Sequence, residues 1–191
     1  MDRKIKLMNN NLLIVGASAY SLLAADIAKE MQCFEKIDFI DDEKQQTPDG
    51  QRVIGKISDL ERLSVEYSNV FISIEDSKTR LALMKRIEEE MPYRIVVLVS
   101  RRAYIASSVQ IGKGSIIEPM AVIQTGSVVQ EGCVISAGAV VNYGSMCARG
   151  VHVECNAVVA SGTLVPACTK VQSCTVVHKE NIDINDLFEN K

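Results

Sequence analysis

Apolar residues keep two different rhythms along the chain. Up to about residue 99, short apolar runs alternate with stretches of helical spacing, and from residue 105 apolar residues return at every sixth position. Leu12 to Val15 is an apolar run stopped by Gly16, and Ser21 to Met31 follows with apolar residues at helical intervals. This reads as strand, tight turn and helix. Lys36 to Ile40 predicts a second strand ending in Asp41-Asp42, and Thr47-Pro48-Asp49-Gly50 marks a turn. Asn69 to Ile74 predicts a third strand, Lys78 to Met91 a helix ended by Pro92, and Arg94 to Val99 a fourth strand followed by an Arg101-Arg102 linker. Alternation of this kind predicts an α/β domain built on a parallel sheet.

The second rhythm is an internal repeat. Every sixth residue from Ile105 reads Ile111, Ile117, Ile123, Val129, Ile135, Val141, Cys147, Val153, Val159, Val165, Val171 and Val177. Twelve of these thirteen positions are Ile or Val, types that fill only 41 of the 191 places in the chain, so the phase is not accidental. Seven of the eleven glycines fall at the fourth place of a hexad, and the fifth place holds small residues such as Ser115, Ala121, Ser127, Cys133 and Ala139. A unit this short is a strand plus a turn, because two packed helical turns need far more chain.

Three such units close one coil of a triangular prism, and each strand pairs with the one a coil above, about 4.8 Å away. The inward stacks are then Ile105/Ile123/Val141/Val159/Val177, Ile111/Val129/Cys147/Val165 and Ile117/Ile135/Val153/Val171. Neighbours on a strand face opposite ways, so Ile116, Val122, Val128, Val134, Val140, Met146, Val158, Leu164 and Val176 point outward. A surface this apolar calls for a cover. Self-association through Val122, Val140, Val158 and Val176 supplies one, and the first domain lying over part of the prism supplies another.

Composition narrows the class. Lys and Arg number 21 against 24 Asp and Glu, for a net charge of −3 with no dense basic cluster, so nucleic acid is not expected as a partner. The longest purely apolar run, Ile95 to Val99, is far short of the roughly 20 residues that cross a bilayer. Leu12 to Ala25 follows Lys4 and Lys6 in the manner of a signal peptide, but Gly16, Ser18 and Asp26 interrupt it. Six cysteines in 191 residues do not suggest a disulfide scaffold, and no pair repeats with the spacing of one coil, as stacked metal ligands would. A cytoplasmic protein with small apolar cysteines and no metal is the expectation.

The array of Ile or Val, two residues, Gly and a small residue resembles the bacterial hexapeptide acyltransferases. That resemblance implies a left-handed parallel β-helix, assembly as a homotrimer, and acetyl-CoA bound in clefts between subunits. With Gly16-Ala17-Ser18 after the first strand and Phe39-Ile40-Asp41-Asp42 closing the second, the chain looks like the sugar acetyltransferases of the sialic-acid and bacillosamine pathways. It implies a small Rossmann-like α/β domain over 1–102 and a β-helix over 103–177; in the tail over 178–191 the apolar Ile182, Ile184, Leu187 and Phe188 are expected to form a plug over the open end. The first domain would hold a nucleotide-linked sugar through Gly16, Ser18, Asp41 and Asp42, since a glycine turn opening a helix points N–H groups at phosphate and an acid on the next strand accepts from ribose.

Two segments depart from the family pattern. Relatives read Gly-x-(Gly or Ser)-Gly-His-Gly at the first turn, and this chain reads Gly16-Ala17-Ser18-Ala19-Tyr20-Ser21. Relatives carry His followed by an acid in the middle of the helix, where this chain has Tyr143 and Gly144. Histidine with a pKa near 6.5 removes a proton from an attacking group far better at neutral pH than tyrosine near 10. The only histidines are His152 and His178, and His178 lies about two coils, roughly 9.6 Å, above Asn142. His152 matches a second family histidine at the acetyl-CoA cleft, on a different side of the prism from Tyr143. The expectation is therefore that His152 of one subunit and Tyr143 of its neighbour meet across a subunit boundary, His152 serving both catalysis and acetyl-CoA binding. The activity implied is acetyl transfer from acetyl-CoA to an amino or hydroxyl group of a nucleotide-linked sugar. The alternative is a trimeric homologue that has lost the chemistry and serves as a binding or structural protein.

Overall fold

In the computed structural model, which describes residues 9–178, the two rhythms become two kinds of sheet. Strands β1 (Leu12–Val15), β2 (Ile37–Ile40), β3 (Asn69–Ile72) and β4 (Arg94–Ile95) pair in parallel in the order β2-β1-β3-β4. Every residue of β1 and β3 is buried, as central strands covered on both faces must be. Helix α1 (Ala19–Met31) starts where the Ser18 hydroxyl accepts from the Ser21 N–H and Ser21 answers at the Ser18 N–H. A 3-10 turn at Ile57–Asp59 leads into the short α2 (Leu60–Leu63). Helix α3 (Ser77–Glu90) is capped by Asp76, which accepts from the Thr79 N–H, and stops before Pro92.

Each face of the sheet has its own cover. Leu83, Met84 and Ile87 of α3 pack with Leu13, Val15, Val70 and Ile72. On the opposite face Ala24, Ala25, Ile27 and Ala28 of α1 pack with Leu12, Ile14, Phe39 and Phe71, in a cluster that continues into Ile116 and Val134 of the second region. One apolar core thus runs from the first sheet, through α1, onto the side of the column.

The column has the register expected from the hexads. Its strands are two residues long and stack in three parallel ladders, with Ile105 on Ile123, Ile111 on Val129 and Ile117 on Ile135. The inward positions share one cluster, Cys147 included, buried along its length and partly buried at Ile105, Ile111 and Val177. The column starts earlier than the sequence suggests. Arg94 to Val99 is not one strand: Arg94–Ile95 closes the first sheet, while β5 (Leu98–Val99) pairs with Ile116–Ile117 as the first rung of the column. Ile95 to Val99 is one unbroken apolar run, so periodicity alone does not show where one sheet hands over to the other. Arg101 and Arg102 are not a linker either. They form the first turn, where Arg101 donates to the Met31 carbonyl and to Gln32, and Arg102 pairs with Glu30.

The turns explain the glycines. The fourth place of the hexad has positive φ throughout the array from Gly114 on, with values of 63–70° at its seven glycines. Met120, Asn156, Cys168 and Cys174 hold the same place at 56–63°. The fifth-place serines are buried in the corners, where Ser127 donates to the Asn142 carbonyl at 2.8 Å and Ser145 to the Ala160 carbonyl at 2.9 Å. Of the outward positions, Ile116 and Val134 are buried beneath α1, while Val122, Val140 and Val158 are half-buried and Val176 is 52% exposed. The first domain therefore covers one side of the prism and leaves the valine side open. Ile182, Ile184, Leu187 and Phe188 lie outside the described residues. Among those residues no helix is long and apolar enough to cross a membrane.

Candidate active site

Docking of α1 and α3 on the column leaves a cleft of about 440 Å³ between the domains. Helix α3 can come close because its Leu81 and Met84 lie over a corner of glycines: a Cβ on Gly132 would meet the Leu81 Cδ2 at 2.9 Å. Arg80, one turn into the helix, is buried against the same corner. Its Nε donates to the Gly132 carbonyl at 3.0 Å, its Nη1 to the Ile74 and Glu75 carbonyls, and its Nη2 to the Ser77 hydroxyl at 3.2 Å. Ser77 in turn donates to the Gly150 carbonyl at 2.7 Å. Among the described residues Arg80 has no carboxylate partner, and burial holds its guanidinium below the usual value.

His152 faces this cleft from the ladder in which it sits between Val134 and Lys170. Its Nε2 is 3.0 Å from Ser136 Oγ, and Ser136 Oγ is 3.4 Å from Glu118 Oε1. The other Glu118 oxygen accepts from the Ala137 N–H at 2.9 Å. Burial, followed by the charge of Lys170, pushes the imidazole below its ordinary pKa, and burial pushes the Glu118 carboxyl up. At the rim, the hydrogen bond from Lys170 holds the Glu154 carboxyl at about 2. Tyr20 lines the cleft from α1 with a buried hydroxyl that finds no partner among the described residues.

The first-turn residues form a separate corner. Gly16 has φ 116°, and a Cβ there would meet Ser73 Oγ at 2.7 Å. The amides expected to face a phosphate are engaged internally: the Ala17 N–H donates to Asp41 at 2.8 Å and the Ser18 N–H to Ser21 Oγ at 3.0 Å. Partial burial raises the Asp41 pKa, but N–H groups of Lys44, Glu43 and Ala17 outweigh it and hold the carboxyl below its usual value. Asp42 accepts from the Ile57 N–H instead. Gly16, Ser18 and Asp41 are thus brought together, with Asp41, Lys44 and Lys56 lining a shallow recess of about 210 Å³.

Tyr143 stands elsewhere. It is 60% exposed in a recess of about 320 Å³ with Tyr104, Val122 and Gln124, so one protomer does not bring it to His152. Gly144 occupies the positive-φ place of its turn, at 64°. Sequence reasoning named His152 but not Arg80, Glu118 or Ser136, which line the same cleft. Counting one coil from Glu118 to Ser136 and from Val134 to His152 sets these three side by side; Arg80 carries no comparable signal, being a charged residue on a helix.

A column of six-residue repeats thus carries a small α/β domain, with a cleft between the two. Residues 11–87 match the PglD N-terminal domain family. The whole chain is similar to the acetyltransferase domain of PglB from Neisseria gonorrhoeae, with TM-score 0.81, 25% identity, and coverage of 90% of this chain and 86% of that one. The same domain in complex with acetyl coenzyme A gives TM-score 0.75 at 24% identity, covering the same shares of the two chains. WeeI from Acinetobacter baumannii shares the fold at TM-score 0.62 and 18% identity, over 88% of this chain and 89% of that one. No curated protein matches the sequence. The resemblance read from the hexads and the first turn is to this group.

Proposed function

We propose that this protein transfers an acetyl group from acetyl-CoA to an amino or hydroxyl group of a nucleotide-linked sugar, as a homotrimer in the cytoplasm. The observation that carries the reading is His152, hydrogen-bonded through Nε2 and held with a depressed pKa in the cleft between the domains. A neutral imidazole is the species that can take a proton at pH 7. The similar PglB domain is an acetyltransferase that has been obtained with acetyl coenzyme A.

Acetyl-CoA supplies the acyl group as a thioester, and the cleft suits that end of it: Leu23 and Val134 give apolar walls and Tyr20 an unpaired hydroxyl. His152 takes the proton from the acceptor's amine or alcohol as that atom bonds to the acyl carbon. The carbon–sulfur bond then breaks, and the proton held on His152 passes to the leaving thiolate, giving the acetylated sugar and free CoA thiol. Gly16, Ser18, Asp41 and Asp42 hold the nucleotide end in this reading, and Tyr143 of a neighbouring copy faces the cleft of His152.

The occupied amides of the first turn and the pair Tyr143 and Gly144 favour a second reading, a homologue that binds without turnover. Two measurements separate them. Acetyl-CoA stabilises a protein that binds it only when folded, and a thiol reagent reports CoA release over a panel of nucleotide-linked amino sugars. A melting shift with thiol release supports the transferase, and a shift without release supports the binding protein. No shift at millimolar acetyl-CoA contradicts the proposed reading.

A further inference from the structure

Histidine acts as a base through whichever ring nitrogen carries no proton, and the partner of the other nitrogen decides which that is. Gly144 follows Tyr143 in the sequence, so no acid neighbours that position, and His152 lies eight residues further on. A carboxylate reaches His152 through space instead. Glu118 is 6% exposed, accepts from the Ala137 N–H with one oxygen and faces Ser136 Oγ with the other. Ser136 stands between it and His152 Nε2. An ionised carboxylate only accepts, so the single hydroxyl hydrogen of Ser136 goes to Glu118. The Ser136 oxygen must then accept, and the donor within reach is an Nε2–H on His152.

We propose that Glu118, acting through Ser136, is a positioning residue that holds His152 in the Nε2-protonated tautomer and leaves Nδ1 as the nitrogen that takes the acceptor's proton. Among the described residues Nδ1 makes no hydrogen bond. As Nδ1 takes that proton the ring becomes a cation, with both N–H groups filled and the positive charge answered through Ser136 by Glu118. The proton leaves again to the CoA thiolate, so Glu118 is unchanged over a cycle. The other charged groups around the ring are Lys170 and Arg80, which disfavour the cation, and Glu154 and Glu75, which favour it. Glu154 is already paired with Lys170 at 2.5 Å, which leaves Glu118 as the carboxylate linked to the ring by hydrogen bonds.

This inference rests on the reading of His152 as the base, but its test does not. The chain has two histidines, so nitrogen-15 spectra of the H178Q protein report the His152 ring directly. At pH 8 the free protein is expected to show a protonated Nε2 and an unprotonated Nδ1. In E118Q the side-chain amide donates to Ser136, whose hydroxyl turns to Nε2, so the proton moves to Nδ1. With it kcat falls by ~10-fold or more while KM for acetyl-CoA holds. S136A breaks the same link without altering the buried carboxyl, and is expected to lose the tautomer preference and kcat together. An Nδ1-protonated ring in the parent protein overturns the proposal, as does an unchanged tautomer in both E118Q and S136A. Full turnover in H152A overturns the base instead and leaves the tautomer result standing.

Discussion

Burial and the ammonium of Lys170 together keep the His152 imidazole below its usual value near 6.5. Between the depressed value and 6.5 the unfolded chain binds more proton at this site than the folded one. Stability contributed here is therefore complete above pH 6.5 and declines as pH falls through that window. Urea titrations at a series of pH values are expected to show a shallower decline in His152→Gln than in the parent, and identical slopes would contradict the assignment. Tyr20 poses a second question at this scale. An orphaned buried hydroxyl costs about 1–3 kcal/mol, so Tyr20→Phe is expected to leave the unliganded protein as stable or more stable in urea. A loss above about 1 kcal/mol would mean that the hydroxyl has a partner in the free protein. Neither Tyr20 nor Glu118 was legible as a site residue, because a lone aromatic on a helix and a lone acid just past a strand usually have solvent or core roles. His152 could be singled out because the chain has only two histidines, and the structure places it in the cleft.

Elements in this chain are set by turns as much as by strands. The hexad phase was readable from Ile105 because each inward residue is Ile or Val, Cys147 excepted, and each turn from Gly114 on places a residue at positive φ that glycine occupies without strain. Met120 holds this place at φ 63° while 67% exposed, so its side chain adds strain without burial. Met120→Gly is expected to stabilise the protein by about 0.5–1 kcal/mol, and Gly144→Ala, which meets nothing within 4 Å, to cost about 1 kcal/mol from backbone strain alone. Denaturation curves of the two variants check both, and equal midpoints would contradict the turn assignment. The division between Ile95 and Leu98 was not readable, since burial on both sides of it gives one continuous apolar run. The docking of α3 was hidden for another reason: it depends on Leu81, Met84 and Arg80 meeting Gly114, Gly132 and Gly150, residues far apart in sequence that only the coil geometry aligns.

At the scale of the molecule, one side of the column is sealed by α1 while Val122, Val140, Val158 and Val176 have no equivalent cover among the described residues. The proposed trimer answers that exposure and brings a neighbour's Tyr143 within reach of the cleft. Val140→Asp with Val158→Asp is expected to give monomers in sedimentation and to depress acetyl transfer, with the far-ultraviolet spectrum unchanged. A parent protein that sediments as a monomer would contradict the assembly. The general plan, a parallel α/β domain on a hexapeptide column, could be read from periodicity and the first glycine turn. The cleft could not, because it belongs to neither domain and exists only where α1 and α3 meet the ladder of His152. The most direct measurement is CoA release by the folded His152→Ala protein, compared with the parent on an acceptor that the parent acetylates. A fall of ~100-fold or more in kcat is predicted for loss of a general base; turnover equal to the parent would contradict the account.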